Sequence, residues 1–428
     1  MMNFTSEHNN TQGAKDLDNQ DELSKFRNEF HFPLTENGDR ALYFAGHSLG
    51  LMPKNAQDYI NEELNSWKAF GVEGHFKGKH PWLPYHEFLT EHFAELVGGK
   101  SSEVVAMNSL TVNLHMMLVS FYRPTQKRYK ILIENNTFPS DKYAVDSQAR
   151  FHGHDPKKAI VQLEPRSGEM TISDEDLVAQ IEAQGDELAL VMLGNCNYLS
   201  GQCFNFEKVV AAARKVGAKV GFNLAHGAGN LLLNLHDWDV DFAVWCSYKY
   251  INSGPGGLAG AFVHEKHHKD PTIPRFEGWW GTNKKNRFKM EPDFEPIPTV
   301  EAWQLSNPPI FQLAAMRASL DIFHEAGIKN LRAKGDKLTG YLEWLLKENC
   351  SDSVSIVTPA YEEGKQTRGN MLCVRVAKDA KKLEESLVAQ DVILDFREPD
   401  ILRMAPAPLY NSFEDVFELV SMMKKVLG

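Results

Sequence analysis

The sequence predicts an α/β fold, with a large and mainly parallel sheet followed by a smaller α+β unit. Three observations carry that expectation. Short apolar runs without strict polar alternation recur from about Val104 to Val263, the pattern of strands covered on both faces. Amphipathic helical stretches separate those runs, an order that builds parallel sheets and places ligands at the strands' C-terminal ends. Beyond an irregular stretch at Lys284–Pro309, long helices come first and strands return later.

In chain order, KILIE (Lys130–Glu134), AIVQL (Ala159–Leu163), LALVML (Leu188–Leu193), KVGFNL (Lys219–Leu224), FAVWCS (Phe242–Ser247) and GAFV (Gly260–Val263) read as buried strands. Helices are expected at Asp174–Gln184, opened by the cap residue Ser173, and at Phe206–Val216. Long helices follow at Ile310–Glu325 and Ile328–Lys347, then strands at Val354–Val357 and Met371–Val376. A helix near Asp379–Gln390, a strand at Ile401–Ala405 and a terminal helix from Phe413 complete the second unit. The first residues are polar and lack the apolar core of a secretion signal, so residues 1–24 are expected as a mobile tail. Residues 25–70 are expected to pack with the small domain, 71–309 to form the large domain and 310–428 the small one.

The formal net charge of −11 argues against broad binding to nucleic acid or to an anionic membrane. The longest apolar stretch, Leu114–Tyr122, contains His115 and falls far short of the roughly 20 residues a membrane helix needs. Cys196, Cys203, Cys246, Cys350 and Cys373 are odd in number and show no CxxC spacing. Reduced thiols in a cytoplasmic protein are expected, and no metal.

The most informative stretch is WCSYKYINSGPGG, Trp245–Gly257. Lys249 follows an apolar strand, where a parallel sheet presents its site. A lysine enclosed there is costly unless paired or covalently used, and a Schiff base with an aldehyde cofactor removes the charge. On position alone, a lysine reaching out to solvent is the simpler reading; SYK before a glycine-rich loop favours the Schiff base.

Other segments carry weaker signals. Ser109, Leu110 and Thr111 precede the helical run Val112–Val119, and a helix N-terminus offers free N–H groups to a phosphate. Alone, that stretch reads as a plain N-cap. FPSD (Phe138–Asp141) could set a ring on a planar cofactor with Asp141 orienting it, or form only a turn on Pro139. Asn223 and His226, in VGFNLAHGAGN (Val220–Asn230), stand at a strand end where a planar heterocycle would meet them. His226 alone reads as a core histidine.

Together with YFAGHSLGLMPK (Tyr43–Lys54), GWWGT (Gly278–Thr282), SNPPI (Ser306–Ile310) and RMAPAPLYNS (Arg403–Ser412), these blocks stand in a specific order. From about Ala41 to Leu409 the chain resembles the aminotransferase-like, fold type I enzymes that use pyridoxal phosphate (PLP), and more narrowly the kynureninase family. The resemblance implies Lys249 as the Schiff-base lysine and Tyr248 as a phosphate contact and proton relay. It places Leu110 and Thr111 at the phosphate, with Pro139, Ser140 and Gly194 in the same cofactor site. Phe138 would stack on the ring, Asp141 contact its substituents, His226 pack beside it and Asn223 face the pyridine nitrogen. Trp279 and Asn307 would complete the site from the partner subunit of a homodimer. Arg403 would pair the substrate α-carboxylate through a bidentate fork. Ser48, His75, Ser306 and Asn307 would also touch the substrate, His75 and Ser306 at its aromatic end.

The implied reaction is hydrolysis of the Cβ–Cγ bond of kynurenine, or its 3-hydroxy form, to an anthranilate and alanine in tryptophan catabolism. Two residues depart from the family pattern. Asn223 stands where the family has aspartate, which implies slowed turnover, because asparagine supplies no counter-charge to a protonated pyridine. His47 stands where the family usually has asparagine. A catalytically impaired PLP-binding homologue is the alternative. A cysteine desulfurase-like enzyme would need a thiol on a mobile loop, whereas Cys350 and Cys373 fall beside or within expected regular elements.

Overall fold

The computed structural model describes residues 4–428. Seven strands form one sheet in the order Val104–Ala106, Gly260–Val263, Phe242–Trp245, Lys219–Asn223, Leu188–Gly194, Lys130–Ile133 and Ile160–Gln162. The last five in that order are mutually parallel, and Gly260–Val263 runs antiparallel to both neighbours. Alternate residues of one strand enter different cores. Leu132, Val191, Phe222 and Trp245 join one, while Ile131, Ile133, Met192 and Val244 join the other. Burial on both faces is why these strands read as unbroken apolar runs. Helices Leu110–Phe121 and Pro139–Phe151 pack together, as do Asp174–Glu182 and Phe206–Lys215.

A second, antiparallel sheet has the order Val354–Ile356, Leu372–Val376, Ile401–Met404 and Asp395–Arg397. Helices Ile328–Cys350 and Phe413–Leu427 pack on each other and share its core through Leu338, Leu342, Val374, Leu402 and Val416.

Two expectations are corrected. The segment expected as a mobile tail instead carries a helix at Thr11–Asn19, whose Ala14 and Leu17 are buried. It docks on helix Phe413–Leu427, and the Asp18 carboxylate accepts the backbone N–H groups of Phe413 and Glu414 at 2.7 and 3.0 Å. Capping a helix that Ser412 also caps, together with the buried Asp21–Lys334 ion pair at 2.6 Å, holds a segment too polar to read as packed. Residues 1–3 of that segment lie outside the described residues. The other correction concerns the thiols. Cys246, Cys350 and Cys373 are free and buried, but Cys196 and Cys203 are joined as a disulfide. A tight turn brings them together: Asn197 Oδ1 accepts from the N–H groups of Leu199 and Ser200, and the two cysteines pair across an antiparallel bridge.

The strand Leu42–Tyr43 pairs in parallel with Val392–Ile393, and Ala45 forms a parallel bridge with Ala405. Among the described residues, no helix is long and apolar enough to cross a membrane.

Candidate active site

The C-terminal ends of the parallel strands converge on one cavity of about 210 Å³. Strand register places Gly194 beside Asn223, and Asn223 beside Val244 on the strand that leads to Lys249. The turn carrying Lys249 is pinned from beneath, since Ser247 Oγ lies 2.5 Å from Ser253 Oγ and the Ser253 N–H donates to the Ser247 carbonyl. The Gly50 N–H donates to the Tyr248 carbonyl at 2.8 Å. In the turn after the strand Lys219–Asn223, Gly227 follows His226, where a Cβ would lie 1.8 Å from Asn195 Nδ2.

Of the residues singled out in the sequence, Leu110, Thr111, Phe138, Ser140, Asp141, Gly194, Asn223, His226, Tyr248 and Lys249 line this cavity. Lys249 Nζ lies 3.4 Å from His226 Nε2 and 5.9 Å from the centre of the Phe138 ring. Pro139 opens helix Pro139–Phe151 and is not among the lining residues. Arg403 stands behind the wall and donates through Nη1 to the carbonyl of Tyr198, which does line it. Ser48 is exposed on the segment after Tyr43. The structure does not bring His75, Trp279, Ser306 or Asn307 to this cavity; Ser306 and Asn307 are exposed and Trp279 is 46% exposed.

Sequence reasoning missed Glu134, Cys196 and Tyr198, which also line the cavity. Glu134 ends the strand Lys130–Ile133, the position class that flagged Lys249. A lone acid after a strand drew no attention. Its Oε2 accepts the Gly194 N–H at 2.8 Å, and burial pushes its carboxyl up to about 7.

The electrostatics centre on Asp141. Asn223 Nδ2 donates to Asp141 Oδ2 at 2.7 Å, while Asn223 Oδ1 accepts the Ala225 N–H. Asp141 Oδ1 is buried without a partner. Burial raises the Asp141 carboxyl to about 6, against the opposing pull of Asn223 and Lys249. Burial and nearby Arg403 hold the Lys249 ammonium below its ordinary value, and burial raises the Tyr248 hydroxyl.

This donor set fits a phosphorylated aromatic aldehyde. The helix Leu110–Phe121 begins without a side-chain cap on its free N–H groups, and the hydroxyls of Thr111 and Ser140 meet there at 2.8 Å. The orphaned Asp141 oxygen offers an acceptor for a ring N–H, and Lys249 offers the amine.

Comparisons with known proteins agree with that geometry. Residues 331–423 match the family model "Kynureninase C-terminal domain". The chain is 56% identical to a kynureninase of Myxococcus xanthus, with 96% of each chain covered. It is 47% identical to one of Nematostella vectensis, over 95% of this chain and 92% of that one. Among solved structures, a cysteine desulfurase from Thermococcus onnurineus superposes with a TM-score of 0.75 at 16% identity, covering 94% of this chain and 97% of that one. A C-DES protein with glycine linked to its PLP cofactor gives a TM-score of 0.75 at 16% identity, covering 90% and 96%. At such identity the structures establish the fold alone, that of PLP-dependent fold type I enzymes. The sequence relatives, matched nearly end to end at about half identity, establish more: the chain belongs to the kynureninase family.

Proposed function

We infer that the protein is a PLP-dependent hydrolase that cleaves the Cβ–Cγ bond of kynurenine or 3-hydroxykynurenine, releasing an anthranilate and L-alanine. The observation that carries this reading is the convergence of Lys249, Tyr248, His226, Asn223, Asp141 and the open helix end at Leu110 on one cavity, in a chain of this family. Pyridoxal phosphate, when bound, supplies a sink for negative charge developing on the substrate. Everything else falls to the chain. Leu110, Thr111 and Ser140 would hold the phosphate, and Phe138 and His226 would flank the ring. Lys249 sits where burial and Arg403 favour the neutral amine, the nucleophilic form. Tyr248 keeps its proton, so it donates rather than accepts at neutral pH. Cleavage needs a proton delivered and removed near the γ-ketone, and Tyr248 and Lys249 share the wall where that happens. Above its shifted value near 6, Asp141 carries the negative charge that Asn223 cannot supply, and Asn223 holds it in place. Incubating the PLP-loaded protein with kynurenine should release alanine and anthranilate in equal amounts; turnover of cysteine to alanine and an enzyme persulfide, with no anthranilate from kynurenine, would favour the desulfurase alternative. Cys350 and Cys373 are buried in a helix end and a strand, which disfavours it.

Arg403 is assigned to the substrate α-carboxylate. Its Nε donates to Asp395 Oδ1 at 2.8 Å and its Nη1 to the Tyr198 carbonyl at 2.9 Å, which fixes the guanidinium plane; Nη2 has no protein partner among the described residues. Arg403→Lys keeps the charge but loses that orientation. The Michaelis constant should rise roughly ten- to a hundredfold, the scale of charge-assisted hydrogen bonds. An unchanged constant places the carboxylate elsewhere.

The same reading makes the protein a homodimer whose partner supplies Trp279 and Asn307, with His75 and Ser306 at the aromatic end of the substrate. Exposed aromatic rings support it: Trp67 meets Phe311, Phe76 meets Phe288, and Phe288 meets Trp279, with centroids 6.2, 6.3 and 5.6 Å apart. Exposed apolar clusters of this kind suit an association surface. Sedimentation at micromolar concentration should give a dimer, and a monomer with full activity would end the shared-site reading. Two domains, 71–309 with the cofactor cavity and 310–428 with Arg403, and a cytoplasmic location belong to the same proposal.

A further inference from the structure

We propose that His47 is a second hydrogen-bond donor, beside Arg403, to the α-carboxylate of the amino-acid substrate. The proposal rests on the assignment of Arg403 to that carboxylate. His47 lies in a segment clamped at both ends. On one side the Ala405 N–H donates to the Phe44 carbonyl at 2.9 Å, and Ala45 bridges to Ala405, two residues beyond Arg403. On the other, the Gly50 N–H donates to the carbonyl of Tyr248, the neighbour of Lys249. Gly46 permits the approach, because a Cβ there would lie 2.2 Å from Tyr410 Oη. The imidazole is thereby fixed between the strand of Arg403 and the turn of Lys249, with its ring 6.4 Å from that of His226.

So placed, His47 is 1% exposed, and among the described residues neither ring nitrogen has a hydrogen-bond partner. The Phe44 carbonyl is near enough to favour a ring proton but makes no well-formed bond. A buried polar group left without water or partner is rare and costly unless a ligand completes it. The charges nearby indicate which ligand. Arg403 and Arg397 are both positive, and Asp395 is already engaged by Arg403 Nε and by Arg397. Burial, then Arg403 and Lys249, keep the ring neutral, with one N–H to give. A cluster of cations with an idle donor suits an anion. A carboxylate has about four lone-pair sites, enough for Arg403 and an imidazole together.

The test uses the PLP-loaded protein and two amines, L-alanine and ethylamine, which differ only by the carboxylate. Binding is read from the change in cofactor absorption. His47→Phe keeps the bulk but removes the N–H, and His47→Ala removes the ring without adding strain. Both should weaken L-alanine about tenfold, the equivalent of about 1.4 kcal/mol, and leave ethylamine unchanged. Unchanged ethylamine binding also certifies that each variant is folded and loaded. Equal affinity for L-alanine in variant and parent overturns the proposal, and so does an equal loss for both amines, which would tie His47 to the amine or the cofactor. Arg403→Lys in the same titration separates the two assignments. If it leaves L-alanine untouched while the His47 variants lose it, the carboxylate seat stands on His47 and the Arg403 reading falls.

Discussion

Replacing Lys249 with alanine is expected to abolish turnover while leaving the fold intact or slightly firmer. The side chain lies among Phe138, His226 and Tyr248 at the cavity wall, where burial and Arg403 oppose its charge. Among the described residues it makes no ion pair, and its Nζ lies 3.4 Å from His226 Nε2. Removing a buried amine from such surroundings relieves desolvation, and the relief outweighs the pull it exerts on Asp141. The chemistry loses both its amine nucleophile and one proton carrier, so turnover should fall by on the order of 10⁴ or more. Steady-state rates and a thermal melt on the same preparation decide the matter. Turnover within tenfold of the parent would mean that another lysine holds the cofactor.

Asp141→Asn should cost about 10²–10³ in turnover, the scale for losing one preorganised electrostatic partner. The carbonyl of the new asparagine can still accept from Asn223 Nδ2, so the wall keeps its shape. What disappears is the charge. The effect on stability has the opposite sign. The folded carboxyl is raised from 3.8 to about 6, so the folded state holds its proton longer than the unfolded chain does. Stability conferred by the protonated form is complete below about pH 4 and is lost as pH rises to about 6. Cofactor-free Asp141→Asn should therefore melt higher than the parent at pH 7–8, by on the order of 1–3 kcal/mol, and match it near pH 4. The companion change Asn223→Asp tests the same point from the other side. It sets two carboxyl groups at hydrogen-bond distance, where one retains a proton. Turnover should then change less than tenfold. A gain of 10²–10³ would show that Asp141 does not supply the charge, and that Asn223 slows this chain as its sequence alone implied.

The large sheet was legible because strands buried on both faces show as apolar runs, and Lys249 was legible because it directly follows one. The N-terminal region was not. Strands Phe30–His31, Leu42–Tyr43 and Met52–Pro53 are two residues long, and two residues carry no periodicity. Helix Thr11–Asn19 buries little beyond Ala14 and Leu17, so its packing hides in a polar sequence. Asp141 was visible as part of FPSD, but its bond to Asn223, 82 residues away, belongs to the sheet and not to any local pattern. Glu134 stands between an apolar strand and the polar run Asn135–Thr137, and only its placement in space gives it meaning.

The pairing of Ala45 with Ala405 also sets an order of assembly as the chain leaves the ribosome. Every residue lining the cofactor cavity falls between Ser109 and Lys249, so that cavity can take shape before the last third of the protein exists. The wall holding His47 and Arg403 joins segments some 360 positions apart, the first made early and the second almost last. The early segment must therefore wait, exposed, for a partner that arrives at the end of synthesis. On the proposed assignments, a chain ending before residue 401 keeps every residue that lines the cavity but lacks Arg403, and so has no complete seat for an amino acid. That seat is the last part of the site to be made.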